Sequence, residues 1–200
     1  MKKTIILQLI VAALFVAGNC QAQSLSDLFN KSNVEKIVNA VTGKTAEVNL
    51  AGTWNYTGVA IAFESDNLLA KAGGSVAAST VEKKMDEQLS KLGIKAGQMS
   101  FTFNADSTFT AKVGAKSVKG KYSYNADDSS VKLKFAKIIP VSAKVSYTST
   151  KTDLLFNVDK LLTIVKYLAS KSSNTTLKSI SSLAGNYDGM RAGFALEKAE

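Results

Sequence analysis

Hydrophobic and polar residues alternate along most of the chain after residue 47, with the period of two that is typical of strands buried on one face. The alternation is clearest in Met99–Phe103, where Ser100 and Thr102 separate the apolar positions. It predicts strands over Val48–Phe63, Met99–Phe103, Thr108–Val113, Val118–Tyr124, Val131–Phe135, Val141–Tyr147, Thr152–Asn157 and within Tyr187–Lys198. Short polar turns separate most of them, so the pattern predicts an antiparallel up-and-down β-barrel of about eight strands, closed by pairing of the last strand with the first.

Helical spacing of apolar residues interrupts this pattern after the first strand and before the last. The first interruption has a capping-box sequence at Ser79–Glu82 and an apolar stripe that ends before Gly93, with a short helix predicted ahead of it at Asp66–Ala72. The second has two stripes, Val158–Leu168 and Leu177–Ala184. The predicted fold is therefore mainly β with added helices, which dock on the barrel.

The N-terminus has the form of an export signal. Two lysines precede an apolar run that ends near Gly18, too short for a comfortable membrane span, and Cys20-Gln21-Ala22 fits a cleavage site. We expect residues 1–22 to be a signal peptide, residues 23–46 a helical leader and linker, and residues 47–200 the barrel domain. The mature chain then has no transmembrane segment and is periplasmic or associated with the outer envelope. A lipid anchor at Cys20 is the alternative to cleavage after Ala22.

Composition removes several kinds of chemistry. The chain has no histidine, which excludes imidazole catalysis and most zinc sites. Its one cysteine, Cys20, leaves with the signal peptide if cleavage follows Ala22, so the mature chain then has no thiol for catalysis. The formal net charge of +9 comes almost entirely from scattered lysines. We interpret them as a solvated surface rather than a nucleic-acid site, and the alternative is weak attraction to an anionic cell surface or a polyanion. Glu64 with Asp66, and Asp127 with Asp128, are the carboxylate pairs open to a glycosidase, but turn and cap roles explain them better. We expect no enzyme activity, no catalytic residues, no cofactor and no metal site.

Four segments together carry a resemblance to a known family. They are Leu50-Ala51-Gly52-Thr53-Trp54-Asn55-Tyr56, the run from Glu64 to Gly74, Phe101-Thr102-Phe103-Asn104, and Tyr187-Asp188-Gly189-Met190. The chain resembles the secreted lipocalin-like (calycin-type) family of unknown function from Bacteroides-type gut bacteria, over roughly residues 47 to 200. The resemblance implies a lipocalin-like barrel. It also implies that Trp54 stacks with Arg191 as a structural latch at one end, so that a ligand enters at the other end. The inserted helices depart from the lipocalin pattern and put the open cup in doubt.

Aromatic residues on the inward strand faces are the candidate site. They are Phe101, Phe103, Phe109, Tyr122, Tyr124, Phe135 and Tyr147. They either fill the core or form the wall of a cavity for a small apolar ligand, since an eight-strand barrel lies between these two cases. The first hypothesis for function is a secreted, non-enzymatic, ligand-binding barrel. The alternative is a structural or interaction module with a plugged barrel, which docks a protein partner of the cell envelope.

Overall fold

The strands of the computed structural model close into one antiparallel barrel. The structure describes residues 48–64, 74–136, 138–169 and 174–200. Its strands are β1 (Gly52–Phe63), β2 (Met99–Phe103), β3 (Thr108–Val113), β4 (Lys116–Asn125), β5 (Ser130–Phe135), β6 (Val141–Tyr147), β7 (Lys151–Asn157) and β8 (Met190–Lys198). Each strand pairs with its sequence neighbours and β8 pairs with β1, so the predicted eight-strand, up-and-down barrel is confirmed.

Three helices are described, in the two places that the sequence predicted. Helix α1 (Gly74–Lys91) follows β1, and helices α2 (Val158–Leu168) and α3 (Asn174–Gly185) precede β8. The predicted signal peptide, the leader at 23–46 and the short helix at Asp66–Ala72 lie outside the described residues. No described helix is both long enough and apolar enough to cross a bilayer.

The period-two pattern places one face of each strand in the core. In β2, the apolar Met99, Phe101 and Phe103 are buried while Ser100 and Thr102 are half-buried. The same alternation holds in β3 and β5. Because the sheet is closed, the inward residues of all eight strands share one hydrophobic core, to which the apolar faces of the helices are added.

Strand β1 departs from the prediction in two ways. It begins at Gly52 rather than at residue 48, since Gly52 adopts a positive φ of 122° that interrupts extended backbone. A β-bulge between Tyr56 and Gly58 then shifts the register with β8. The predicted face of Trp54, Tyr56, Gly58, Ala60 and Ala62 is therefore wrong beyond Tyr56, because a bulge adds one residue and exchanges the two faces.

Helix α1 begins earlier than its capping-box sequence predicted. The helix starts at Gly74, so Ser79 lies inside it and the capping-box interpretation is wrong. Glu82 Oε1 instead accepts a hydrogen bond of 3.2 Å from the backbone N–H of Ile61 in β1. The predicted apolar stripe is confirmed: Val81, Met85, Leu89 and Leu92 are all buried in the core.

Candidate functional site

The two ends of the barrel differ. At one end lie the tight β2–β3, β4–β5 and β6–β7 turns with the start of β1, and at the other lie the connections that contain the helices. We call the first the turn end and the second the helical end. The turns carry the polar residues that the sequence predicted: Asp106 Oδ1 accepts hydrogen bonds from the Thr108 backbone N–H and hydroxyl at 3.0 and 2.6 Å. The hydroxyl bond is the main reason why the pKa of Asp106 is below its usual value.

Trp54 closes the turn end. Its side chain is 0% exposed, and its indole Nε1 donates a 2.7 Å hydrogen bond to the carbonyl of Leu50. The ring of Tyr147 meets it edge-on at 6.1 Å between centroids, and the Lys198 ammonium lies 5.5 Å from the centre of the indole. A cation from the last strand therefore covers Trp54, as the resemblance implied, but the residue is Lys198.

The predicted stack of Trp54 on Arg191 is wrong. Trp54 is opposite Lys198 in the β1–β8 register, whereas Arg191 is opposite Ala62. At about 3.3 Å per strand residue, the two residues lie roughly 25 Å apart along the barrel. The physical reason is the antiparallel pairing: Trp54 and Arg191 both lie near the start of their strands, and the starts of antiparallel strands are at opposite ends.

Arg191 instead joins three strand ends at the helical end. Its Nη1 donates to Asn157 Oδ1 at 2.7 Å and its Nη2 to Glu64 Oε1 at 2.9 Å. Asn157 occupies the N-cap position of α2, as predicted, but its side chain makes no capping hydrogen bond. The carboxylate of Glu64 is thus held by a cation. Its suggested glycosidase partner, Asp66, lies outside the described residues.

The seven predicted cavity residues divide into two groups. Phe101, Phe103, Phe109 and Phe135 are fully buried. Tyr122, Tyr124 and Tyr147 are half-buried and pack against the core. The tyrosines lie near the turn end, where Tyr122 donates its hydroxyl to the carbonyl of Asn104 at 2.9 Å. The structure therefore brings the phenylalanines together in the interior and leaves the tyrosines closer to the surface.

The buried phenylalanines of β2, β7 and β8 contact one another along one side of the barrel wall. Phe101 lies between Phe103 and Phe194, each at 5.9 Å between ring centroids. Phe194 also meets Phe156 at 5.9 Å. These separations are those of aromatic pairs in direct contact. The four side chains are also 0–1% exposed, so they border almost no accessible space.

A glycine makes room for one of these contacts. Phe109, Gly120 and Phe135 form one row across β3, β4 and β5. The rings of Phe109 and Phe135 meet edge-to-face at 4.9 Å. A Cβ at Gly120 would lie 2.5 Å from Phe109 Cε1 and 2.5 Å from the carbonyl oxygen of Lys134. The absence of a side chain in β4 is what allows its two neighbours to pack together.

Helix α2 crosses the helical end of the barrel. It starts where β7 ends, and its other end reaches the opposite side, where the ring of Tyr167 meets Phe135 at 5.5 Å. There Lys116, at the start of β4, donates a hydrogen bond to the Tyr167 carbonyl. The buried face of α2 consists of Leu161, Ile164, Val165 and Leu168. A helix of this length spans about 16 Å, enough to cover the mouth of a small barrel.

Helix α1 is fixed to β1 by polar contacts. The hydroxyl of the buried Tyr56 donates a 2.6 Å hydrogen bond to Asp86 Oδ1. Burial, with the nearby Asp86, raises the pKa of Tyr56 far above its usual value, so this tyrosine stays neutral and remains a donor. Burial also raises the pKa of Glu82, although its hydrogen bond from Ile61 opposes that shift.

A cleft on the outer surface was missed by the sequence interpretation. It has a volume of about 640 Å³ on β3, β4 and β5, and its polar lining includes Thr108, Thr110, Lys119, Lys121 and Lys134. We call it the lysine cleft. Phe109 and Phe135 also line it, and apolar atoms make up most of its accessible wall, beside the polar groups of the lysines and threonines. The alternation of lysines with apolar residues in β4 and β5 was the available signal, and it was interpreted as a solvated face.

Comparisons with known proteins give the family. The sequence profile described as Lipocalin-like domain (DUF4923) matches residues 25–198. Among solved structures, this chain is similar to the crystal structure of a duf4847 family protein from Bacteroides vulgatus ATCC 8482. The two sequences are 15% identical, the alignment covers 75% of this chain and 95% of that chain, and the TM-score is 0.34. Comparison with curated proteins finds no match.

Proposed function

The chain belongs to the Lipocalin-like domain (DUF4923) family, and from the packing inside its barrel we propose that it is a non-enzymatic binding module of the cell envelope. In this proposal the barrel is a solid scaffold, and partners bind to its outer surface. This is the plugged-barrel alternative from the sequence. The observation that carries it is the near-complete burial of Phe101, Phe103, Phe109 and Phe135, which would border accessible space if they formed the wall of a ligand cavity.

The interior contacts support a scaffold role. Small-molecule pockets usually have volumes of about 300 Å³ or more, with side chains lining an accessible space. Here Phe101 is 0% exposed and touches rings on both sides, and Phe109 and Phe135 meet over Gly120. A ligand in this region would have to displace rings that already make favourable contacts with each other.

The helical end supports the same role. A ligand entering opposite Trp54 would have to pass α2, whose Leu161, Ile164 and Val165 are 0% exposed. Moving α2 would expose this apolar face and break its contact with Phe135. The cost of exposing such side chains is about 1.5–3 kcal/mol each, which makes spontaneous opening rare.

Two further features support a non-enzymatic, exported protein. The chain has no histidine, and the carboxylate of Glu64 is paired with Arg191. The charged and apolar pattern of residues 1–22 supports export, followed by cleavage after Ala22 or lipidation at Cys20. Mass analysis of the protein from its own host distinguishes the two, because lipidation would add acyl chains to an N-terminal cysteine.

The test of the scaffold proposal uses a neutral apolar probe. Titration with N-phenyl-1-naphthylamine should give no saturable fluorescence with the natural protein, and native mass spectrometry of protein from its host should show no bound small molecule. The Phe101→Ala variant opens a cavity of about one ring and should gain binding of benzene, followed by thermal stabilisation, but not of the larger naphthylamine. As a matched control, Ile139→Ala removes a side chain that is 76% exposed and should gain none. A co-purified lipid that is lost in Phe101→Trp would contradict the solid-scaffold proposal and favour the ligand-binding barrel.

A further inference from the structure

We propose that the lysine cleft binds acidic glycans, that is, carbohydrate chains carrying carboxylate, sulfate or phosphate groups. The proposal rests on the proposed function, in which the outer surface of the barrel does the binding. Three observations carry it: the register of the lysines, the dimensions and lining of the cleft, and the continuation of positive charge beyond it.

The register brings like charges together. Lys121 of β4 is directly opposite Lys134 of β5, and Lys119 lies two residues before Lys121 on the same face of β4. Side chains directly opposite in an antiparallel pair have Cβ atoms about 5 Å apart, and like charges there destabilise the sheet. Among the described residues, none of these three lysines forms an ion pair with a carboxylate, although the charge of Asp106 in the β2–β3 turn interacts with that of Lys121 and helps to lower the pKa of Asp106. A bound anion would relieve the repulsion, so the arrangement favours occupancy by negative charge.

The cleft has the size and the polar groups that a short segment of glycan needs. Its volume of about 640 Å³ lies within the usual range of small-molecule sites. Thr108, Thr110 and Asn104 line it beside the lysines. The Thr108 hydroxyl donates to Asp106 and accepts from the Asn104 amide nitrogen. The groups that can hydrogen-bond to sugar hydroxyls are therefore the Thr110 hydroxyl and the Asn104 amide oxygen. Lysines act as point charges without the planar geometry of arginine, which suits several kinds of acidic group rather than one.

Positive charge continues on the same outer face outside the cleft. Lys132 of β5 lies opposite Ser123 on one side and Ser142 on the other. Lys112 of β3 lies opposite Ser117. Both lysines are exposed. The lysines, with serines and threonines between them, extend over three strands. This arrangement fits an extended chain that passes through the cleft better than it fits a single small anion.

The surface favours a glycan over a membrane or a nucleic acid. Membrane-surface binding usually adds inserted aromatic or aliphatic side chains to basic charge. Within the described part of the chain, Ile139 is the single large hydrophobic residue that is exposed. Nucleic-acid sites commonly use arginine and exposed aromatic rings, whereas the chain's one arginine is Arg191, at the helical end.

The test measures binding of a fluorescein-labelled hexamer of galacturonic acid by fluorescence polarisation. At roughly 50 mM NaCl, where charge screening is weak, we expect saturable binding that weakens as salt is added. The triple variant Lys119→Gln, Lys121→Gln, Lys134→Gln should raise the Kd by about tenfold or more, since each substitution removes one ionic contact. The control variant Lys160→Gln, Lys166→Gln, Lys178→Gln removes the same charge from exposed positions on α2 and α3 and should change the Kd less than about twofold.

Four outcomes would overturn the glycan proposal. They are no saturable binding, equal weakening by both triple variants, equal binding of a neutral malto-oligosaccharide, and tighter binding of phosphatidylglycerol vesicles or single-stranded DNA than of the labelled hexamer. The naphthylamine titration, repeated on the same preparations, separates the two proposals. If the glycan test fails and naphthylamine does not bind, only the proposal that the lysine cleft binds glycans is overturned. Saturable naphthylamine binding by the natural protein overturns the proposal that the barrel is a solid scaffold. All six lysines are exposed, so both variants should melt within a few degrees of the natural protein, which thermal denaturation checks.

Discussion

Phe101→Ala is the most informative single substitution, because its effect depends on whether the barrel is filled. Phe101 is fully buried, and its ring centroid lies 5.9 Å from those of Phe103 and Phe194 and 6.4 Å from that of Phe109. Removal of a ring from a close-packed core typically lowers the free energy of unfolding by about 3–5 kcal/mol, because the burial of the ring is lost and a cavity is left behind. The three aromatic contacts add about 0.5–1.5 kcal/mol each beyond burial, which places Phe101 in the upper part of that range.

Urea denaturation followed by the fluorescence of Trp54 measures this effect. Trp54 lies at the turn end and is itself buried, so its emission reports unfolding of the barrel. The matched control is Phe101→Leu, which keeps most of the apolar volume and should cost less than about half as much. A loss below about 1.5 kcal/mol for Phe101→Ala would refute the reasoning, because it would mean that the ring borders empty or solvated space rather than packed side chains.

Three other predictions concern backbone approach, pH and the Arg191 contacts. Gly193→Ala should prevent folding or lower the free energy of unfolding, measured in urea, by more than about 3 kcal/mol. The reason is that the new Cβ would lie 1.7 Å from the Leu154 carbonyl oxygen. A loss below about 1 kcal/mol would contradict that close approach. Burial raises the pKa of Glu82 in the folded state. Its carboxyl therefore contributes most to the free energy of unfolding below its unfolded pKa, and this contribution is lost as the pH rises through the folded pKa. Glu82→Gln should therefore gain stability relative to the natural protein between pH 4 and pH 8, whereas Glu87→Gln, exposed on the same helix, should show no such trend. Arg191→Met should lower the free energy of unfolding by about 1 kcal/mol, as measured by thermal denaturation. The effect is modest because the side chains of Arg191 and Glu64 are 25% and 53% exposed. A loss above about 3 kcal/mol would contradict this, because it would mean that solvent screens the pair far less.

The alternation along the strands was enough to predict most of the fold. In β2, β3 and β5 every apolar position expected inside is buried. In a closed sheet, every inward side chain faces the barrel interior, so alternation of apolar and polar residues along a strand predicts directly which residues are buried. The bulge after Tyr56 was not predictable in this way, because one extra residue exchanges the faces without changing the hydrophobic composition of the segment.

The candidate site was predicted less well than the fold, because contacts across strands depend on register. The sequence placed Phe109 and Phe135 on inward faces but did not show that Gly120 lies between them. It likewise showed Lys121 and Lys134 as outward residues without showing that they face each other. Local sequence patterns identify the face of a strand, and only the pairing between strands identifies the neighbour.

Strand parity explains why the helices all lie at the end opposite Trp54. In an up-and-down barrel, each odd-numbered strand runs away from the turn end, so every connection from an odd to an even strand lies at the helical end. The insertion after β1 and the insertion after β7 are both of this kind. Two segments far apart in sequence therefore meet over the same mouth, and there α1 and α2 add their buried apolar faces to one core. Insertion of both segments after even-numbered strands would have placed them at the end where Trp54 lies, so the positions of the insertions, more than their helical form, bring both to this mouth.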